Sequence, residues 1–128
     1  MEAIELTDYP FIPESDKKLK KKDQTIIWMS TLDFEQDTYV ENLIADNTKE
    51  GDLILPILSM GLKRFENFKN SKGKDIVIKR DEKSETTYPG NIKPLTNDCL
   101  SKISNVQRSQ LTLQIRFGKE ISEKEAKN

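Results

Sequence analysis

Apolar residues gather in a few stretches separated by long polar ones, and their spacing changes from stretch to stretch. Thr25, Ile26, Ile27, Trp28 and Met29 form a β-branched and aromatic run of strand length with polar residues on both sides, which predicts a strand over 25–30. Leu32, Tyr39, Val40, Leu43 and Ile44 then recur near helical spacing and predict a helix over 33–46. Thr31 or Asp33 caps it, because a side-chain oxygen there accepts from the free amides of the first turn. After a break at 47–52 that contains Gly51, the residues Ile54, Leu55, Ile57, Leu58, Leu62, Phe65 and Phe68 make the most apolar stretch of the chain. It predicts a helix over 53–68 at the centre of the core, with Pro56 in its first turn, where few backbone donors are owed. Asn70-Ser71-Lys72-Gly73 has turn composition, and Ile76 and Ile78 alternate with Val77, which predicts a short strand over 75–80 paired with the one at 25–30.

The ends of the chain are less regular. Residues 1–24 place Pro10 and Pro13 among Tyr9, Phe11 and Ile12 and continue into Lys17-Lys18-Leu19-Lys20-Lys21-Lys22. Prolines remove backbone donors, so this segment is expected as an extended arm lying against the body, followed by a solvated, mobile lysine link. Residues 81–91 read as loop, and Thr96 or Asn97 caps a short helix carrying Leu100 and Ile103. Leu111, Leu113, Ile115 and Phe117 alternate as in a strand, whereas Val106, Gln110, Leu113 and Phe117 fit a helix whose opposite side would expose Leu111 and Ile115. Periodicity alone favours the strand. Ser122 and Glu125 have the spacing of a capping box and suggest a further helical turn near the end. The fold class that results is α+β: a small, mostly helical single domain over 25–118 with a short two-stranded antiparallel sheet, an extended N-terminal arm over 1–24 and a charged C-terminal tail over 119–128.

Composition narrows the function classes. The chain has 128 residues, one domain's worth, with 34% hydrophobic and 34% charged residues and a net charge of -1. The charge is segregated, with a net of -7 over residues 1–62, +4 over 63–83 and +2 over 84–128. Complementary patches of this kind steer encounter and register, so self-association or an oriented partner is open to the chain, against the simpler reading of two solvated faces that never meet. No apolar run is long enough for a membrane span and no leader pattern opens the sequence, so a soluble, unsecreted protein without membrane contact is expected. The one cysteine, Cys99, has no intramolecular partner, and the absence of histidine removes the commonest metal ligand and general base.

Few constellations carry chemistry. Asp33, Asp37 and Glu41 are four apart, so a helix stacks their carboxylates on one side; a Mg²⁺ or Ca²⁺ site is outweighed by solvated acids at the positive end of a helix. Cys99 reads as a small buried hydrophobe on a helix, and no catalytic pair, phosphate loop or Cys-x-x-Cys occurs. No catalytic activity, cofactor or metal is expected. The basic segment 63–83, with Phe65 and Phe68 among its charges, is the best nucleic-acid candidate, since lysines neutralise phosphates while a ring stacks on a base. Both rings share helical spacing with Leu62, which points to core, and nucleic-acid binding is disfavoured.

Gly61-Leu62-Lys63-Arg64-Phe65-Glu66-Asn67-Phe68, followed by a turn ending in Gly73 and a short apolar strand, resembles small proteins encoded among the structural and tail genes of tailed bacteriophages. Phe11-Ile12-Pro13-Glu14-Ser15-Asp16 with Gln24-Thr25-Ile26-Ile27-Trp28 is similar to the opening of such proteins, and Ile121-Ser122-Glu123-Lys124-Glu125-Ala126-Lys127-Asn128 to their acidic, asparagine-containing ending. Arg64 departs from the small residue expected there. The resemblance implies a role in virion morphogenesis, first as a tail assembly chaperone and alternatively as a minor structural component of the virion, and a helical 105–117. It also implies phage tail or head–tail proteins as partners and the host cytoplasm during assembly, or the virion, as location. Phe65, Asn67, Phe68 and Lys69 are the partner-contact candidates. The plainer reading of the first three is that the rings seal the core at a helix end and Asn67 turns the chain out of the helix.

Overall fold

The computed structural model describes residues 7–127, with side chains described through 118, and Met1 to Leu6 and Asn128 lie outside the described residues. Three strands, β1 (Tyr9–Phe11), β2 (Ile26–Met29) and β3 (Leu62–Glu66), form one antiparallel sheet in the order β1-β2-β3. Helices α1 (Phe34–Ala45), α2 (Glu50–Gly61), α3 (Asn97–Ser101) and α4 (Asn105–Lys127) complete a mixed helix-and-sheet fold. The strand at β2 and the helix at α1 agree with the sequence pattern. Asp33 caps α1 through a reciprocal pair of bonds: its carboxylate accepts from the Gln36 amide at 2.8 Å and the Gln36 side chain accepts from the Asp33 amide at 3.0 Å.

The expected two-stranded sheet is corrected at both of its ends. The segment 75–80 makes only the isolated bridges Lys69 with Asp75 and Arg80 with Leu95, and the place beside β2 belongs to β3. The helix expected over 53–68 therefore ends at Gly61, where the chain passes straight into a strand. The misreading has a local cause. Leu62 and Phe65 are three apart, which is helical spacing, but the ladder shifts register between Trp28 and Met29, so Lys63 is an extra, bulged residue. The bulge lets residues three apart both face inward. Because α2 begins at Glu50, Pro56 lies inside the helix and not in its first turn. The third strand, β1, comes from the segment expected as an arm: Pro10 sits on an edge strand opposite Trp28, where a missing amide is tolerated.

The last segment is helix, as the phage resemblance implied and strict alternation did not. Its orientation is the reverse of the helical alternative, because Leu111 and Ile115 are fully buried while Val106, Leu113 and Phe117 face outward. Gly61 sets that orientation. A methyl group there would lie 2.5–2.7 Å from three atoms of the Ile115 side chain, so α4 lies against bare backbone at the end of α2. No new helix starts at Ser122, since α4 continues through it. The core is assembled from Ile27 and Met29 of β2, Val40 of α1, Ile57, Leu58 and Met60 of α2, Leu62 of β3, and Cys99, Ile103, Leu111 and Ile115 further on.

A helix that becomes a strand with no loop leaves its last carbonyls without helical partners. Leu58 keeps the last helical bond, and the carbonyls after it are answered by side chains and by other segments. Leu58 O accepts from the Leu62 amide, Met60 O from Lys63 Nζ at 3.3 Å, and Gly61 O from the Ser30 amide at 2.9 Å. Arg80 Nη1 donates to Ser59 O at 2.7 Å and to Lys93 O at 3.0 Å, while Nη2 donates to Leu62 O at 3.0 Å. The Ser59 hydroxyl accepts from the Leu95 amide at 3.0 Å. Burial pulls the pKa of Arg80 down, and the nearby Cys99 and Glu82 oppose that shift.

Strand β1 is tied to α4 by Tyr9, whose hydroxyl donates to Gln114 O at 2.6 Å. Burial pushes its pKa up to about 12 from 10.0. The phenol must stay protonated to donate, and the unfolded chain ionises first as pH rises, so this contribution is complete below pH 10.0 and disappears towards about 12. Urea unfolding across that window is expected to show falling stability in the wild type and a shallower fall in Tyr9→Phe, and equal slopes would contradict the assignment.

Candidate protein-contact surfaces

The four partner-contact candidates occupy one turn at the end of β3. Phe65 lies opposite Ile27 and packs, half-buried, against the core, and Phe68 meets it edge to face at 5.1 Å between ring centres. Both rings seal the core, at the end of a strand and not of a helix. Asn67 takes a left-handed conformation, φ 56°, which asparagine adopts at little cost. Its side-chain Nδ2 donates to Lys22 O and to Gln24 O, each at 3.2 Å, and its own carbonyl accepts from Thr25 Oγ1 at 2.9 Å. Asn67 therefore braces the turn against the segment that leads into β2. Lys69 is exposed and starts the loop closed by its bridge to Asp75.

The outward face of the sheet carries residues that the sequence reading did not single out. Ile27 and Met29 point inward, so Trp28 between them points out, and its cross-strand neighbours are Pro10 and Arg64. The Arg64 guanidinium stacks on the indole, 4.5 Å from its centroid, and the indole N–H donates to Glu66 Oε2 at 2.9 Å. Arg64 and Glu66 are 4.0 Å apart and at least half of each side chain is open to solvent. The result is an aromatic ring held in one orientation on an open face. The signal was legible in β2 itself, where a tryptophan alternates with inward apolar residues.

Helix α4 carries a second apolar stripe. Val106 is 68% exposed, Leu113 53%, and Phe117 completes the row one turn on. Seven- and four-residue steps place all three on the side opposite Leu111 and Ile115. Arg116, beside this row, donates to Glu41 Oε1 at 3.1 Å and stacks on the Phe117 ring at 4.6 Å, which fixes α4 against α1 and orients the ring.

The remaining candidates fall elsewhere. Asp33 is spent as the cap of α1, and among the described residues no group of three or more metal-ligating side chains comes together. Cys99 is buried on α3, as its apolar character predicted, with its thiol 3.9 Å from Val77 O. Of the basic segment 63–83, Arg80 is turned inward onto carbonyls, and neither Phe65 nor Phe68 stands free as a stacking platform. No described helix is long and apolar enough to cross a membrane. The fold and its surfaces define a mixed helix-and-sheet protein with a three-stranded antiparallel sheet. No family model, curated protein or solved structure matches the chain.

The bracing role of Asn67 has a direct test. Asn67→Ala loses two hydrogen bonds and forces a side chain into a left-handed conformation, for a loss of about 2 kcal/mol, whereas Asn67→Gly loses only the bonds, about 1 kcal/mol. Urea unfolding separates the two variants, and equal losses would contradict the backbone argument.

Proposed function

We propose that the chain works without catalysis, as a morphogenesis protein of a tailed phage that holds another protein through the outward stripe of α4. The observation that carries this reading is the placement of Val106, Leu113 and Phe117 on the solvent side of a helix whose other apolar side is already buried. A long helix with an unburied apolar row is a common way to seat a partner segment, with aromatic and aliphatic side chains as anchors. The occupant is a phage tail or head–tail protein, because the resemblance of the 61–68 segment and of both ends of the chain is to proteins encoded among those genes. A tail assembly chaperone uses such a row transiently, and a minor virion component keeps it covered in the particle. Nucleic-acid binding through 63–83 is the weaker reading, since Phe65 and Phe68 face the core.

Co-expression of the tagged chain with the proteins of the neighbouring genes, followed by capture and identification, tests the reading. A tail or head–tail protein is expected with the wild type, and Leu113→Glu is expected to weaken its recovery by about tenfold or more, the effect of a central apolar contact. Because Leu113 is exposed, the variant keeps its fold, which circular dichroism checks. Recovery unchanged by Leu113→Glu, or capture of nucleic acid alone, would contradict the proposal.

A further inference from the structure

The lysine run, expected as a mobile link, is a built loop. Two 3-10 turns, Glu14–Asp16 and Lys21–Asp23, flank it. Gln24 Nε2 donates to Leu19 O at 3.1 Å and to Lys17 O at 3.4 Å, the Asp16 carboxylate accepts from the Thr25 amide at 2.8 Å, and Asn67 holds Lys22 O. On this frame Lys18, Lys20, Lys21 and Lys22 are exposed, Lys17 is paired with Glu14 at 2.9 Å, and Leu19 at the tip is 47% exposed.

The complement lies on α1 of the same chain. Between Gln24 and Thr48 the sequence has no lysine or arginine, yet it carries Asp33, Glu35, Asp37, Glu41 and Asp46. Gln36 and Val40 face inward, so Glu35, Asp37 and Glu41 lie on the open side of α1, and Phe34 beside them is 89% exposed. Glu41 is paired with Arg116 of α4, which leaves Glu35 and Asp37 as the exposed acids nearest Phe34. Four exposed lysines around an exposed leucine, and the exposed acids Glu35 and Asp37 beside an exposed phenylalanine, thus stand on one molecule.

We propose that the loop 17–22 docks onto the acidic face of α1 in a second copy of this chain, with Leu19 and Phe34 as its apolar contacts. This inference does not rest on the α4 reading, since it uses neither Leu113 nor a phage partner. Because two different surfaces meet, the contact is heterologous and repeats from copy to copy, giving a ring or an open chain and not a closed two-fold dimer. Exposed charges across such a contact are screened by salt, and the lysines gain most from a rigid frame that holds them together before contact.

Analytical ultracentrifugation of the full chain with paired charge reversals is the test. The wild type is expected to associate in a concentration-dependent way at about 0.05 M salt and to return to monomer at about 0.5 M, where the screening length falls from roughly 13 Å to roughly 4 Å. Lys18→Glu with Lys20→Glu and Lys21→Glu in one variant, and Glu35→Lys with Asp37→Lys in another, each lose association alone and recover it when mixed, because each then offers the other a complementary surface. All five positions are exposed, and circular dichroism confirms that each variant folds. A wild type that stays monomeric at low salt, association that survives either reversal, or reversed variants that do not associate on mixing would each overturn the proposal. Binding of a short double-stranded oligonucleotide by a monomeric wild type, lost in the lysine variant, would assign the loop to nucleic acid and overturn it equally.

Discussion

The end of α2 is the constraint on which the rest of the fold depends. A helix that turns into a strand without a loop exposes carbonyls that must be answered from outside the helix, and Ser59, Met60, Gly61 and Leu62 draw those answers from Arg80, Lys63 and Ser30. These are not interchangeable partners. Ser30 follows β2, so its bond to Gly61 sets where β3 enters the sheet. Arg80 belongs to the long irregular stretch 67–96, and its fork pins that stretch to the junction through Ser59, Leu62 and Lys93 together. A cation at the negative end of a helix is favoured by the helix dipole, which, with the nearby Glu82, helps a half-buried guanidinium persist. Gly61 then admits Ile115, and the long C-terminal helix is oriented by that one close approach.

The surfaces follow from the same arrangement. Once Ile115 and Leu111 are committed to Gly61 and the core, the other apolar residues of α4 have no interior left to fill, and Val106, Leu113 and Phe117 face solvent. Once the bulge at Lys63 turns Leu62 and Phe65 inward, Arg64 and Glu66 are left outside with Trp28. The left-handed turn at Asn67 closes β3 and at the same time ties down the lysine loop, so a residue that shapes the core also presents the charge. The outward apolar and charged faces here are by-products of core decisions made a few residues away.

Local signals were legible where one physical effect dominated. The cap at Asp33, the strand at 26–29 and the short helix over Cys99 were readable because each depends on neighbouring residues alone, whereas the break expected over 47–52 closes at Lys49, since Gly51 is taken into α2. The sheet partner of β2 was not, since Leu62 and Phe65 have helical spacing and only the register shift against Trp28 and Met29 makes that spacing fit a strand. The 75–80 alternation was a true period without a ladder, because Arg80 and the 94–96 segment engage it instead. In α4 two apolar stripes compete in one helix, and the choice between them lies at Gly61, more than fifty residues away. Of the contact candidates, Phe65, Asn67 and Phe68 were found for their chemistry, and that chemistry turns out to brace and seal, while Trp28 was passed over as an ordinary strand residue.

Urea unfolding of Arg80→Ala against Arg80→Lys tests the central claim that the α2–β3 junction organises the fold. Removing the fork leaves Ser59, Leu62 and Lys93 carbonyls unanswered, for an expected loss of about 3 kcal/mol, and a lysine, lacking the planar fork, should restore less than half of it. A loss under about 0.5 kcal/mol for Arg80→Ala, the size of an ordinary surface substitution, would contradict the account.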